Sequence, residues 1–388
     1  MSKIQWLRKY CPNIPILRNV LKKQKLKQIC TTCLSKEEML QGEQDEVYKE
    51  NLVRKKLQMN HYAVKKYKKV KKEVFNSFEI LRNCSDEKRL ETDMAFCFFA
   101  YGFMPDEYMC YHLETRTPEE RKLFVSDRDC EVISYTENDI IDMGIFFDKY
   151  LTYKYFSKYY KREAVGVSSS KDFKLFEEFV MKHPCFVRKQ TMLSRGNSVQ
   201  KVNLSAEKLN VRQIFEDMLK NGPSIAEELI IQGKEFSALN SSSVNTIRII
   251  TFITDNGVEI PFCFLKVGRA GSFVDNGGAG GILVGIDKNK GVLNTDGVDE
   301  LDRWYSNHPD SGIVFKGYVM PKWQEAINLA ISLAKEVPSV RYVGWDLTWT
   351  DHGWIMIEGN CSGQFIGPQM VQKRGIKSEL SSILKICL

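Results

Sequence analysis

Two runs of alternating residues, Tyr342 to Thr350 and Trp354 to Glu358, are separated only by Asp351-His352-Gly353. No other feature constrains the fold as tightly. Both runs are rich in aromatic and β-branched residues, which predicts two strands of an antiparallel hairpin. Gly353 stands where a three-residue loop needs a left-handed residue. A register symmetric about His352 sets Thr350 opposite Trp354, Thr348 opposite Met356 and Asp346 opposite Glu358. Side chains alternate along a strand, so Asp346, Glu358 and Asn360 share one face. Trp345, Leu347, Trp349, Ile355 and Ile357 then cover the other, core-facing side. Two carboxylates placed directly opposite repel each other, and a cation between them removes the repulsion. Hard oxygen ligands with room for water and phosphate suit Mg²⁺. An acidic pair on a solvated strand is the alternative reading of the same residues.

The rest of the chain supplies a setting for that hairpin. At about 150 residues per domain, 388 residues imply two to three domains and a sizeable core. A hydrophobic share of 43% and a charged share of 27% exclude disordered, collagen-like and disulfide-scaffold chains. Residues 1 to about 85 read as helices. Lys88 to Tyr160 is aromatic-rich, and its spacing favours core over a base-stacking platform. After Gly166 the texture changes. A polar turn, Ser168 to Asp172, can cap a helix over Phe173 to Met181. Strand-like runs follow at Cys185 to Arg188, Ala226 to Ile231, Thr246 to Thr254 and Ile260 to Val267, with a helix at Lys322 to Glu336. Mixed in this order they predict an α+β or α/β domain of about 220 residues.

Charge is unevenly spread. Residues 1–72 hold 19 Lys and Arg against 6 Asp and Glu, a net of +13, and the remainder carries −6. Helix-like segments such as Arg54-Lys55-Lys56 and Lys65-Lys66-Tyr67-Lys68-Lys69 are suited to a nucleic acid or an anionic membrane face. They are equally suited to a solvated helix face. No nucleic-acid module accompanies them, so no specific nucleic acid is expected. The longest apolar run, Met94 to Met104, is too short to span a bilayer. Pro12 and Pro15 interrupt any signal-peptide core, so a cytoplasmic protein is expected. Eleven irregularly spaced cysteines then read as reduced. Cys30 and Cys33 form the only metal-like or redox-like pair, and no second pair completes a zinc site.

Two glycine-bearing loops offer donors for phosphate oxygens. Leu193 to Ser198, with Arg195 and Gly196, follows Arg188-Lys189, and Asn276 to Gly281 follows Lys266 and Arg269. Neither has the form of a Walker A or dinucleotide fingerprint. Glu227-Glu228-Leu229 could present backbone to an adenine edge and a carboxylate to ribose. Arg248, within a run of isoleucines, needs an anionic partner, either a structural Asp or a substrate phosphate. Asn245 lies beside it. No Ser-His-Asp or Cys-His arrangement is legible.

In this order these elements resemble the ATP-grasp superfamily, and more closely the sugar-transfer-associated ATP-grasp family found with polysaccharide biosynthesis enzymes. The resemblance rests on Ser243-Val-Asn-Thr-Ile-Arg-Ile-Ile-Thr251, Lys266-Val-Gly-Arg-Ala-Gly271, Val274-Asp275-Asn276, Gly280-Gly281, Gly344-Trp345-Asp346 and Ile357-Glu358-Gly359-Asn360. It extends more weakly over Gly102 to Tyr108 and Asp148-Lys149-Tyr150. It implies an α+β fold: a basic, mainly helical region over 1–140, a small lobe with a phosphate loop over 141–225, and a large lobe with the metal site over 226–388. Asp346, Glu358 and Asn360 would hold Mg²⁺, as two ions. Arg188, Lys189, Arg195, Gly196 and Lys266 would contact ATP, with Lys189 as the nucleotide lysine of the first strand. Glu227, Glu228 and Leu229 would form the adenine hinge. Arg248 and Arg269, with Asn360, would serve the transferring phosphoryl group or the acceptor carboxylate. Gln190 replaces the usual proline, the first loop has the single Gly196, and Cys361-Ser362-Gly363 follows Asn360.

The resemblance implies ATP-dependent ligation of a small-molecule or saccharide carboxylate to an amine through an acyl phosphate. An ATP-grasp kinase acting on a hydroxyl and a non-catalytic nucleotide-binding module are the alternatives. The basic N-terminal region would meet a glycosyltransferase or an anionic membrane surface, peripheral at the inner membrane face.

Overall fold

The computed structural model describes residues 15–78, 86–192, 199–204, 210–271 and 280–385. The chain divides into two compact units. One comprises Asn13–Ile140, Glu300–Trp304 and Ser362–Leu388, and the other holds Ile141–Asp299 and Tyr305–Cys361.

The first unit is helical, and local sequence explains why. Ser35 and Glu38 form a reciprocal capping box at the start of Lys36–Gln44. Asp45 caps Glu46–Lys56 through the N–H groups of Val47 and Tyr48. In Tyr62–Ser77 the buried residues are Val64, Tyr67, Val70 and Val74, a helical stripe. Residues Met94 to Phe99 of Glu87–Ala100 are all buried. The aromatics Phe96, Phe98, Phe99 and Phe103 are therefore core, as their spacing predicts. Arg121 clamps Asp93 with two hydrogen bonds of 3.1 and 2.7 Å. Among the described residues no helix is long and apolar enough to cross a membrane.

The second unit carries two antiparallel sheets. The strands are β1 (Ala164–Val167), β2 (Cys185–Gln190), β3 (Gln200–Asn203), β4 (Ser224–Glu228), β5 (Thr246–Thr254), β6 (Gly257–Glu259), β7 (Cys263–Val267), β8 (Ile282–Asp287), β9 (Val292–Asp299), β10 (Trp304–Tyr305), β11 (Tyr342–Thr350) and β12 (Gly353–Asn360). The small sheet has the order β1-β4-β2-β3. The large one runs β10-β9-β8-β7-β5-β11-β12, with β6 beside β5. Helices Phe173–Lys182 and Val211–Lys220 cover one face of the small sheet. Phe176, Phe179, Phe186, Phe215 and Ala226 form its core.

The hairpin keeps its central pair but not its symmetry. Asp346 lies opposite Glu358 and Gly344 opposite Asn360, as the sequence predicts. Between Asp346 and the turn the register shifts by one, so Thr350 pairs with Gly353, Trp349 with Trp354 and Thr348 with Ile355. The expected Thr350–Trp354 and Thr348–Met356 pairs do not form. The loop is two residues, Asp351-His352, and Gly353 follows it at φ +92°. A β-bulge at Ile357 absorbs the extra residue and restores the carboxylate pairing. Its second consequence is that Ile355 sits opposite Thr348 on the Asp346 face, while Met356 and Trp354 join Leu347 and Trp349. Every residue of β11 is buried, so both faces of this strand are covered rather than one.

Candidate functional site

Four adjacent strands of the large sheet present charged groups to one face. Arg248 on β5 lies directly opposite Asp346 on β11, which lies opposite Glu358 on β12. Lys266 on β7 is opposite Thr246, one alternation away on the same face. Arg248 grips Asp346 in bidentate fashion, Nε to Oδ1 at 2.5 Å and Nη2 to Oδ2 at 2.7 Å. Lys266 Nζ is 3.1 Å from Oδ2. Asn360 Nδ2 donates to Glu358 Oε1 at 3.2 Å and reaches Asp346 Oδ2 at 3.4 Å. Burial would raise the Asp346 pKa, but Arg248 and Lys266 outweigh it and hold the carboxyl well below the usual range. Burial likewise opposes the Arg248 charge, and Asp346 more than restores it. The anionic partner that Arg248 needs is therefore Asp346.

The glycines of the two motifs make this arrangement possible. A Cβ on Gly344 would stand 3.0 Å from Arg248 Cδ. One on Gly359 would meet Trp345 Cζ3 at 2.8 Å and Phe146 Cε1 at 3.0 Å. Trp345 is fully buried, with Phe146 and Phe156 against it at centroid distances of 5.8 and 5.5 Å. Its indole N–H donates to Thr251 Oγ1 at 2.9 Å. Asn245 is also fully buried. It accepts from the Gly268 N–H at 3.2 Å and donates to the carbonyls of Phe236 and Asn240, fixing the chain after β7.

The small sheet supplies a second charged group. Arg188 and Lys189 point to opposite faces of β2. Arg188 lies on the helix-covered side, bonded to Asp217 at 2.6 Å and Gln200 at 2.8 Å. Lys189 Nζ is 2.6 Å from Glu227 Oε1. Arg162 donates to Glu227 Oε2 through Nη2 at 2.8 Å, and its Nη1 reaches the Met356 carbonyl on β12 at 2.7 Å. That bond ties the segment leading into β1 to β12. Burial works to raise the Glu227 pKa, yet Lys189 and Arg162 bring it down to about 2. Glu228 accepts from the Glu163 N–H at 3.0 Å. Leu229 begins a segment that belongs to no strand or helix.

Lys149 links the two groups. It opens the helix Lys149–Tyr160, capped by Asp148, and its N–H donates to the Thr191 carbonyl at 3.1 Å, beyond the end of β2. Burial lowers its pKa, Glu358 opposes that shift and Lys189 adds to it. The ammonium is thus within electrostatic reach of both clusters. Sequence reasoning missed Lys149 and Arg162 as site residues. Asp148-Lys149 at a helix start was the available signal for the first. Arg162 had none, because its partners are brought in by the fold.

Arg269 is placed differently. Its Nε bonds Asp310 Oδ2 at 3.0 Å, and the same oxygen accepts from the Ala270 N–H at 2.8 Å. His308, fully buried, holds this corner through the Gly268 carbonyl at 2.8 Å. Arg195 and Gly196, together with Val274-Asp275-Asn276, lie outside the described residues.

The donor chemistry of the Asp346, Glu358 and Asn360 set fits a hard divalent cation. Asn360 Nδ2 bridges the two carboxylates, and its amide oxygen with theirs makes up a hard oxygen donor set. Among the described residues no group of three or more His, Cys, Asp or Glu side chains is placed to hold a metal. Among the described residues the cations Arg248, Lys266, Lys189, Arg162 and Lys149 stand against the anions Asp346, Glu358, Glu227 and Glu228.

Comparison with known proteins gives this arrangement a family. No curated protein matches the chain. Among solved structures, the ATP-grasp ligase PsnB complexed with minimal precursor is 14% identical, with a TM-score of 0.41 over 66% of this chain and 67% of that one. The ADP complex of purK, N5-carboxyaminoimidazole ribonucleotide synthetase, is 11% identical, with a TM-score of 0.40 over 69% of this chain and 59% of that one. D-alanyl-alanine synthetase A from Vibrio cholerae O1 biovar eltor is 10% identical, with a TM-score of 0.36 over 66% and 62%. This chain therefore covers less than two thirds of the latter two proteins. The profile of the sugar-transfer associated ATP-grasp family matches residues 185–385, more than half of the chain. With its α+β architecture of a small and a large sheet, and Lys266, Arg248, Asp346, Glu358 and Asn360 on neighbouring strands, the chain belongs to the sugar-transfer associated ATP-grasp family.

Proposed function

We propose that this chain is an ATP- and Mg²⁺-dependent carboxylate–amine ligase that releases ADP and works through an acyl phosphate. The observation that carries the reading is the row Lys266, Arg248, Asp346 and Glu358 across four neighbouring strands, with Asn360 joining the two carboxylates. A merely structural ion pair needs one cation and one anion. Here two cations converge on Asp346, and Glu358 lies directly across from it.

In this reading the nucleotide phosphates draw Arg248 and Lys266 towards themselves, which frees Asp346 to act with Glu358 and Asn360. Those three residues would hold Mg²⁺, as two ions, whose role is to neutralise charge on the phosphoryl oxygens. Lys189 and Lys149 bind the phosphates from the small-sheet side, and main chain at Glu228 and Leu229 receives adenine. Arg269, released from Asp310, orients the γ-phosphate or the acceptor carboxylate. The acceptor carboxylate attacks the γ-phosphorus and ADP departs. The amine nitrogen then bonds to the acyl carbon as phosphate leaves. Positioning and charge neutralisation provide the rate, and no covalent protein nucleophile is required. The substrate we propose is a saccharide or sugar-linked amino acid in cell-surface polysaccharide synthesis, a reading supported by the family's sugar-transfer association.

The test is Mg²⁺-dependent ADP release over a panel of carboxylates, each with and without amines. Release that needs both an acid and an amine supports the ligase. Release with a sugar hydroxyl alone overturns it in favour of a kinase. ATP binding without turnover on any acceptor leaves a binding module.

A further inference from the structure

The helical unit carries a charged surface that the nucleotide site does not use. In Tyr62–Ser77 the residues Lys65, Lys68, Lys69 and Lys72 are all exposed. At about 100° per residue they fall within an arc of about 100°, directly opposite the buried stripe of Val64, Tyr67, Val70 and Val74. The other lysines of this helix are committed. Lys66 binds Asp127 at 2.5 Å, and Lys71 binds Glu91 at 2.6 Å. Among the described residues the exposed stripe has one ion pair, Lys69 with Glu73, at 3.9 Å and largely in solvent. Such a pair is worth little.

A second helix of the unit repeats the pattern with apolar residues added. In Pro15–Cys30 the residues Ile16, Val20, Lys23 and Lys27 lie within about 60° of one another. All four are exposed, Ile16 by 77% and Val20 by 44%. Leu17, Leu21 and Leu26 are half-buried and Ile29 is buried, so the inward side is already satisfied. Exposed aliphatic side chains next to exposed lysines suit a surface that is anionic outside and apolar beneath.

We infer that these two outward faces dock the protein on an anionic lipid bilayer. The composition of the stripes separates this from nucleic-acid binding. All six exposed basic residues are lysines, which act as point charges, whereas phosphate-backbone and base readers favour arginine forks. The aromatic bordering the lysine stripe, Phe75, is half-buried and has Lys71 Nζ over its ring at 5.2 Å, which occupies a face on which a base would stack. Tyr67 is buried, and Tyr62 is engaged with Glu131 at 3.0 Å. The inference is independent of the ligase reading, because it uses no residue of the nucleotide site.

Co-sedimentation of the full chain with vesicles tests it, comparing pure phosphatidylcholine with phosphatidylcholine containing 30 mol% phosphatidylserine. Binding is expected only to the anionic vesicles and is expected to weaken as salt rises. At roughly fivefold per lysine, a Lys65→Gln/Lys68→Gln/Lys69→Gln/Lys72→Gln variant loses about 10²–10³-fold in partitioning. A control changing exposed Lys171, Lys174, Lys220 and Lys290 to Gln removes the same charge from the other unit and should retain most binding. Ile16→Ser/Val20→Ser should shorten residence at high salt without removing binding at low salt. The inference fails if anionic vesicles do not bind the chain. It also fails if both quadruple variants lose binding equally, or if polyuridylate binds as tightly at the same salt.

Discussion

Gly359 separates two residues of the candidate metal site, and the structure gives a steric reason for it. A Cβ added there lies 2.8 Å from Trp345 Cζ3 and 3.0 and 3.1 Å from Phe146 Cε1 and Cδ1. Carbon atoms pack at about 3.5–4.0 Å, so at least one ring must retreat by about 0.5 Å or more. Trp345 has little freedom to do so. Its ring meets Phe146 and Phe156 edge-on, and its N–H is bonded to Thr251. Overpacking of this kind costs about 1–3 kcal/mol. Gly359→Ala should therefore lower the urea midpoint by an amount in that range. It should also weaken Mg²⁺·ATP binding, because Glu358 and Asn360 are displaced with the strand. Phe146→Leu removes Cε1, one of the three crowding atoms, so it should cost less in the Gly359→Ala background than in the wild type. Gly359→Ala matching the wild type in stability and nucleotide affinity would refute this steric reading, as would a Phe146→Leu cost that is the same in both backgrounds.

The Glu227 pKa near 2 lies below the ordinary 4.5, so the pairing stabilises the fold above pH 4.5 and is lost as pH falls towards 2. The gap corresponds to about 3 kcal/mol, and stability-versus-pH curves of wild type and Glu227→Gln should converge over that interval. At pH 7 Glu227→Gln should be less stable by about 3 kcal/mol or more, since it leaves Lys189 and Arg162 buried without their anion. Lys189→Ala should weaken ATP binding by about tenfold or more in calorimetry. Arg188→Ala should leave affinity intact and change stability by about 1 kcal/mol or less, because its partners lie on the helix-covered face. In native protein at pH 8 the thiols of Cys97, Cys110, Cys130, Cys263 and Cys361 should resist a disulfide reagent. Burial raises all five, Cys263 to about 12, while exposed Cys30 reacts.

The elements most legible in the sequence were those whose apolar pattern is long and unambiguous. Thr246–Thr254 and Tyr342–Thr350 form strands with the bounds their residues suggest, and Phe173–Lys182 and Trp323–Glu336 form the expected helices. The strands Ala164–Val167 and Gln200–Asn203 are four residues each and carry little alternation, so tertiary pairing rather than local preference makes them strands. Val292–Asp299 includes Asn294, Asp296 and Gly297, poor strand formers held by pairing with the preceding strand. The convergence of Asp346, Glu358 and Asn360 was legible because a hairpin fixes it over few residues. The bulge at Ile357 was not, since nothing in Trp354 to Glu358 marks which residue the ladder skips. Arg248 announced that it needed an anion without naming one. Glu227 gave no sign of its clamp, because Lys189 and Arg162 reach it from separate strands and loops.

The measurement closest to the central claim is ATP binding and ADP release with and without Mg²⁺, made on the wild type beside Asp346→Asn and Glu358→Gln. The account predicts Mg²⁺-dependent nucleotide binding in the wild type, with ADP release that needs both a carboxylate and an amine and falls by at least about 10²-fold in each variant. Equal Mg²⁺·ATP affinity and turnover in all three proteins would contradict it, since the row of Lys266, Arg248, Asp346 and Glu358 would then be only a structural ion network.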